Sequence, residues 1–366
     1  MNVKYCGPAL DYSGYGEANR HDIAALVAAG VDVSTDIPRY TPEIADFGEF
    51  GVLATNLEGK KLDYQIKILH TTPNVYGQYI EKGKYHIGRV FWETDRLPKD
   101  FIRGIQFVDE IWTGSKFNAD AIKRSGVDKP IYLIPEAIGT PAPKVDPYII
   151  LQKDTFKFYS IFEWTERKNP LGLLRAYFTE FTKKEKVSLT IKTYVDNFDP
   201  RKRLEITQAI QKLKKELGLA EYPPLYLCRS LMTRKQIYRF HKSFDCFVSA
   251  HRGEGWGIPQ MEAMLLGNPI ISTNCGGIHE YLNEENAMLI GYKSVKLVEN
   301  SRNRHWYTSE QNWADVNLQD IKQAMRRIYD NPQWASEIGE KSKQLVENKF
   351  STKAVGELMI KRLEEI

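Results

Sequence analysis

HRGEGWGIPQMEAMLLGNPIISTNCGGIHE, residues 251–280, reads in succession as a glycine-rich turn, a helix and a buried strand. Gly253, Gly255 and Gly257 remove side-chain bulk from the turn and permit positive φ, so backbone N–H groups can approach a ligand closely. Pro259 suits the first helical turn, where its missing donor costs nothing, and QMEAMLL consists of good helix formers that Gly267 and Pro269 stop. Pro269–Ser272 then reads as a short buried strand. A helix opening at such a turn directs free N–H groups and its positive dipole end at whatever lies in front of it, which suits a diphosphate. Glu254 lies on the loop. Glu262 lies one turn into the helix, where side chains lean back toward the N-terminus, so both carboxylates can meet at the mouth of one site.

The spacing of Glu254 and Glu262 in EGWGIPQME, continued by AMLLGNPII, resembles the signature of the retaining family-4 glycosyltransferases of GT-B fold, the glycosyl transferases group 1. The resemblance implies two Rossmann-like domains facing across a cleft, with a nucleotide diphosphate sugar as donor substrate. It implies that Glu254 meets the transferred sugar and Glu262 the ribose, with Gly255, Trp256, Gly257 and Ile258 in the donor loop.

Composition agrees with that class and excludes others. A chain of 366 residues is long for one core, so two domains are expected. A formal net charge of +4, from 51 basic and 47 acidic residues, gives no strong nucleic-acid signal. Cys6, Cys228, Cys246 and Cys275 are scattered without a CxxC pair or a secretory leader, which predicts reduced thiols and a cytoplasmic protein. No stretch has the length of a membrane span, so at most peripheral membrane contact is expected.

Strands and helices alternate as in doubly wound α/β proteins. Strands are predicted at Val3–Cys6, Val31–Val33, Tyr64–Leu69, Ile87–Phe91, Glu110–Thr113 and Ile131–Ile134, with a loop over Gly7–Gly16, an amphipathic helix over Glu17–Ala29 and another helix over Asn118–Ser125. A linker is predicted over Pro135–Lys153, with Pro141, Pro143 and Pro147. Further strands follow at Lys157–Phe162, Ser188–Thr193, Leu225–Cys228, Cys246–Ser249 and Ile270–Thr273. The expected division is an acceptor domain over 1–146, a nucleotide-sugar domain over 147–349, and a helix over 350–366 that, by analogy with proteins the chain resembles, packs back on the first domain.

Several further residues join the expected site. In GPALDYSGYGEANR, Gly14 and Gly16 flank Tyr15 ahead of a helix; the resemblance places this loop beside the donor diphosphate, with Tyr12 and Tyr15 available to stack on a sugar. His70 ends an apolar strand, where ligands of open α/β sheets collect, and the family carries a histidine near there that contacts the donor sugar. Trp92, Glu93 and Asp95 in FWETDRLP end another strand and are acceptor-side candidates by the same argument. Arg167 and Lys168 precede Asn169, Pro170 and a helix, and fixed cations there can neutralise a leaving diphosphate. The family's phosphate-binding lysine falls at Lys168, but its arginine is expected about five residues earlier, where this chain has Glu163 and Trp164. Either Arg167 takes that role or one cation and backbone donors hold the diphosphate. Similar enzymes receive the base on the loop after a strand that here ends at Cys228, which points to Ser230 and Leu231. Gly276, Gly277 and Glu280 form a second turn beside the site, and RKRLEITQAIQKLKKELG, from Arg201 on, reads as a solvated helix face.

These residues imply a retaining, metal-independent transfer of a sugar from a UDP- or GDP-sugar to a hydroxyl of a saccharide, lipid-linked or protein acceptor, with no cofactor. Metal independence follows from the absence of any Asp-X-Asp pair, the usual clamp for a metal-bridged donor. The alternatives are a base-modifying nucleic-acid glycosyltransferase of the same fold and a non-catalytic sugar-nucleotide-binding protein.

Overall fold

The computed structural model describes residues 1–366 except 41–45, 141, 151–153, 196–198, 200–201 and 299–304. Pro141, Lys153 and Arg201 therefore lie outside the described residues.

In the first half, β1 (Asn2–Cys6), α1 (Gly14–Ala28), β2 (Asp32–Asp36), α2 (Gly48–Asn56), β3 (Ile66–Leu69), β4 (Tyr85–Arg89), α3 (Lys99–Ile105), β5 (Glu110–Thr113), α4 (Lys116–Arg124) and β6 (Ile131–Leu133) follow one another. The second half continues with β7 (Phe156–Glu163), α5 (Pro170–Glu180), β8 (Val187–Tyr194), α6 (Arg203–Leu217), β9 (Leu225–Cys228), α7 (Arg234–Lys242), β10 (Cys246–Ser249), α8 (Ile258–Leu265), β11 (Ile270–Thr273) and β12 (Met288–Ile290). The hairpin β13 (Tyr292–Lys296) and β14 (Asn312–Val316) comes next, then α9 (Leu318–Asp330), α10 (Pro332–Lys349) and α11 (Thr352–Leu363).

Two parallel sheets result, in the orders β2-β1-β3-β4-β5-β6 and β12-β11-β10-β7-β8-β9. Strands such as β3, β5, β10 and β11 are buried along their whole length, as strands of a parallel sheet covered on both faces are. Strand order reverses between β1 and β3 in one sheet and between β7 and β10 in the other. The crevice beyond the carboxyl ends of such strands is where ligands of open α/β sheets bind. The α/β reading of the sequence, with two Rossmann-like sheets, is borne out.

Two local expectations change. The predicted loop over 7–16 ends earlier, because Ser13 caps a helix that already begins at Gly14. That helix, α1, is not amphipathic: it is buried on every side from Gly16 to Leu26, charged residues included. Its charges have partners: Glu17 pairs with Arg20 and has His21 Nε2 3.2 Å away, and Asp22 pairs with Arg89 on β4.

One wall over α1 is α11, whose Val355, Met359 and Leu363 join Val3, Ile23 and Leu26 in the first half's core. Gly356 permits the contact, since a Cβ there would overlap the Ala25 carbonyl. Arg362 anchors the helix end on Glu110, Nε to Oε1 at 3.2 Å, and lies over the Tyr132 ring. The hairpin also crosses to the first half: Asn312 donates its backbone N–H and Nδ2 to Asp95 at 2.6 and 2.8 Å, and Tyr307 stacks on Trp92 at 5.1 Å. Among the described residues no helix is long and apolar enough to cross a membrane, and the four cysteines are unpaired.

Candidate active site

The carboxyl ends of the strands at both reversal points open onto one cavity of about 360 Å3 between the halves. From the first half it is lined by Tyr12, Gly14 and Tyr15 after β1, His70 after β3, and Glu93 after β4. From the second it is lined by Arg167 and Lys168 after β7, Leu231 after β9, and Glu254, Gly255, Trp256, Gly257, Ile258 and Glu262 around the start of α8.

The turn into α8 uses its glycines in different ways. Gly257 caps the helix with φ 98°, a conformation an L side chain rarely adopts. Gly253 and Gly255 do not have positive φ; Gly253 is required by packing, because a Cβ would overlap the Glu93 carbonyl of the opposite half. A β-carbon at Gly276 would overlap the Glu254 carbonyl in the same way, so the two turns lock together.

Glu254 is buried and ion-paired with Lys168, with Arg167 Nη1 3.8 Å from its other oxygen. Burial alone would raise its pKa, but Lys168 and Arg167 outweigh that and hold it at about 2, so it is ionised. Behind it, burial pushes His251 down to about 4. That neutral ring donates Nε2–H to the Cys275 carbonyl at 3.0 Å and accepts from Ser249 at Nδ1. Lys168 stands on the short turn Glu166–Lys168, which Asn169 ends at φ 52° while capping α5 through Gly172 N–H. Arg167, also on the cavity wall, donates Nη1 to the Gly253 carbonyl at 2.8 Å and reaches Glu93 Oε1 at 3.4 Å.

Each oxygen of Glu262 has a protein partner and keeps a second acceptor position. Arg234 pairs with Oε1, and His241 Nε2 lies 3.2 Å from Oε2. The His241 tautomer follows from its other nitrogen: Tyr159 accepts from Asn268 at 2.6 Å and donates to Nδ1 at 2.8 Å, which leaves Nε2–H for Glu262.

On the first half, His70 is buried, and burial lowers its pKa despite Asp22 nearby. Tyr5 donates its hydroxyl to Asp22 at 3.1 Å and lies 2.6 Å from His70 Nδ1, so the neutral ring carries its proton on Nδ1 and presents Nε2 as an acceptor. The Tyr15 ring meets His70 edge-on at 5.8 Å, and Tyr12 stacks on Phe47.

Four expected residues are placed elsewhere. Trp92 and Asp95 hold the hairpin, as described above. Gly16 serves close packing, since a Cβ there would overlap the Asp11 carbonyl. Ser230 is exposed and outside the cavity wall, where Leu231 and Met232 stand instead. Glu280 accepts Lys116 N–H at 2.7 Å and so ties the halves together. Sequence reasoning missed Glu17, Glu136, Lys192 and Arg234, all on the cavity wall. Glu17 lies within the stretch GPALDYSGYGEANR without having been singled out, and Glu136, Lys192 and Arg234 carry no local signal that points to the site.

Residues 158–301 match the family model of Glycosyl transferases group 1. Anabaena HepE in complex with UDP-glucose aligns over 100% of both chains at 12% identity, with a TM-score of 0.70. Sucrose-phosphate synthase from Thermosynechococcus elongatus covers 100% of this chain and 98% of its own at 15% identity, TM-score 0.70.

The fold is GT-B.

The pneumococcal O-GlcNAc transferase GtfA, in complex with UDP and GlcNAc, shares it more distantly, at TM-score 0.57 and 14% identity over 82% of this chain and 56% of its own. No curated protein matches in sequence. At these identities the GT-B likeness speaks for architecture, and together with the matched domain it supports a GT-B glycosyltransferase. Among the described residues of this GT-B chain, no group of three or more His, Cys, Asp or Glu is placed to hold a metal ion.

Proposed function

We propose that the chain is a retaining glycosyltransferase that moves a sugar from a nucleoside diphosphate sugar to a hydroxyl acceptor. The observation that carries this reading is the meeting of Glu254, Lys168 and Glu262 in one cavity that the first half closes with His70 and Tyr15. HepE binds UDP-glucose and GtfA binds UDP and GlcNAc, which favours a UDP-sugar as donor here.

In this reading residues 147–349 hold most of the donor and residues 1–146 the acceptor, so approach of the halves aligns the nucleophile and excludes water. Glu262 takes the ribose hydroxyls and the N-terminus of α8 faces the diphosphate. The acceptor oxygen forms its bond to the anomeric carbon on the face from which the phosphate oxygen departs, and the acceptor proton passes to that oxygen. Glu254 steadies positive character on the sugar ring, and Lys168 the charge on the leaving diphosphate. Arg167 acts by fixing the Gly253 turn to Glu93, and the diphosphate is held by one cation and backbone donors. Transfer needs no metal, so full activity in excess chelator is expected, and loss restored by manganese or magnesium would refute that point.

The direct test is thermal stability with uridine, guanosine and adenosine diphosphates, for the native chain and for Glu262→Ala. A ligand at about a hundred times its dissociation constant adds about 2.7 kcal/mol. Selective stabilisation by one diphosphate, weakened in the variant, is expected. No stabilisation by any of them would overturn the reading.

A further inference from the structure

The wall of the cavity contributed by the first half contains a carboxyl group of which one oxygen is buried without a hydrogen-bond partner. Glu136 follows β6, is 2% exposed and lines the cavity. Its Oε2 is buried without a hydrogen-bond partner, and Oε1 lies 3.9 Å from His70 Nε2 and 3.8 Å from Arg89, both beyond hydrogen-bond distance. Arg89 is already committed: Nε donates to Asp22 at 2.7 Å, and Nη2 donates to Asp22 at 3.1 Å and to the Pro135 carbonyl at 3.0 Å. A buried carboxyl left unpartnered costs about 1–3 kcal/mol, a cost that a ligand group can remove.

The surroundings say which ligand chemistry fits. Asp22 and Tyr15 face Glu136 from α1, Tyr5 from β1, His70 from the end of β3 and Arg89 from β4. Burial first, and Asp22 second, raise the Glu136 pKa against the opposing pull of Arg89, which favours the neutral acid. A neutral acid has one O–H to donate, and His70 Nε2 beside it is an acceptor. A hydroxyl can accept from the first and donate to the second; an anion would be repelled by Asp22.

We propose that Glu136 is a sugar-recognising residue of the first half, hydrogen-bonding a hydroxyl of the sugar carried by the nucleoside diphosphate donor. This rests on the nucleotide-sugar reading above. The diphosphate is drawn to Lys168 and the start of α8 on the second half, and its sugar extends to the opposite wall, where His70 and Glu136 stand. Glu136 therefore distinguishes a donor from its bare diphosphate.

The test is calorimetric affinity for UDP, UDP-glucose, UDP-N-acetylglucosamine, GDP and GDP-mannose, using the native chain, Glu136→Gln and Glu136→Leu, over about pH 6.5 to 9.5. Circular dichroism melts establish that each variant is folded. One donor is expected to bind the native chain more tightly than its own diphosphate, and to lose about tenfold as pH rises through the Glu136 ionisation. Glu136→Gln, which keeps a donor but does not titrate, is expected to retain that affinity without the pH step. Glu136→Leu is expected to lose it at every pH, while affinity for the bare diphosphate stays native in all three proteins. Four results would overturn the proposal: no donor exceeding its diphosphate, equal loss of donor and diphosphate in Glu136→Leu, native donor affinity in that variant, or an effect confined to the acceptor KM. Failure of every nucleoside diphosphate to bind the native chain would sink the nucleotide-sugar reading itself, and this inference with it.

Discussion

One nitrogen of Arg234, on α7, holds Glu262 of its own half and lies 2.9 Å from Glu17 Oε1 on α1 of the other. The guanidinium thus joins the two halves at the glutamate proposed to take the ribose. Its pKa is raised above the ordinary arginine value because Glu17 and Glu262 together outweigh the cost of burial.

Replacing Arg234 with Met leaves two buried carboxylates short of a cation. Removing one partner of a buried pair costs about 3–5 kcal/mol, and the lower end is expected here because Arg20 and His21 still face Glu17 and His241 still faces Glu262. Urea unfolding of the variant measures it. A native midpoint would mean that the bridge contributes nothing to stability.

The Glu254 carboxyl gives the protein an acid limb of known sign. Its pKa is lowered from 4.5 to about 2 in the folded chain, so the stabilisation it contributes is complete above pH 4.5 and is lost as pH falls from there toward 2. A shift of that size corresponds to about 3 kcal/mol. Lys168→Met removes the main opposing charge, so the variant is expected to show a shallower stability loss over that window, measured by thermal melts at stepped pH. The same variant is expected to lower kcat about 10²–10³-fold if Lys168 stabilises the leaving group.

Gly257→Ala tests the turn. The alanine would sit at φ 98° with its Cβ 2.5 Å from the Tyr281 hydroxyl, which donates to the Trp256 and Gly257 carbonyls. A loss of at least about 1–2 kcal/mol is expected from the left-handed backbone alone. An unchanged melting temperature would show that the turn can relax at no cost.

Asp95→Ala separates packing from recognition. Both Asp95 oxygens hold Asn312, so the variant is expected to speed amide exchange along β14 while leaving nucleotide affinity within about twofold. Slow exchange with impaired acceptor use would return Asp95 to the site.

Sequence alone determined the local events. A glycine turn followed by Pro259 and QMEAMLL forms a capped helix whatever surrounds it, because φ preference, helix propensity and the proline ring act within a few residues. The strands were legible for the same reason: in a covered parallel sheet each is a short, mostly apolar run. The α/β class and two-sheet organisation followed, as did the placement of Glu254, Glu262, Lys168 and His70 around one cavity.

Tertiary structure decided what those groups touch. Trp92 and Asp95 end a strand as ligand-facing residues do, yet a hairpin more than 200 residues later takes them for packing. Arg167 has the charge to face a diphosphate, and only the meeting of the halves gives it the Glu93 carboxylate as a partner. Glu136 and Arg234 carry no motif, and their partners come from distant strands and helices. Charge and hydrogen bonding act between neighbours in space, and in a chain wound into two facing sheets those neighbours are set by strand order and by the meeting of the halves.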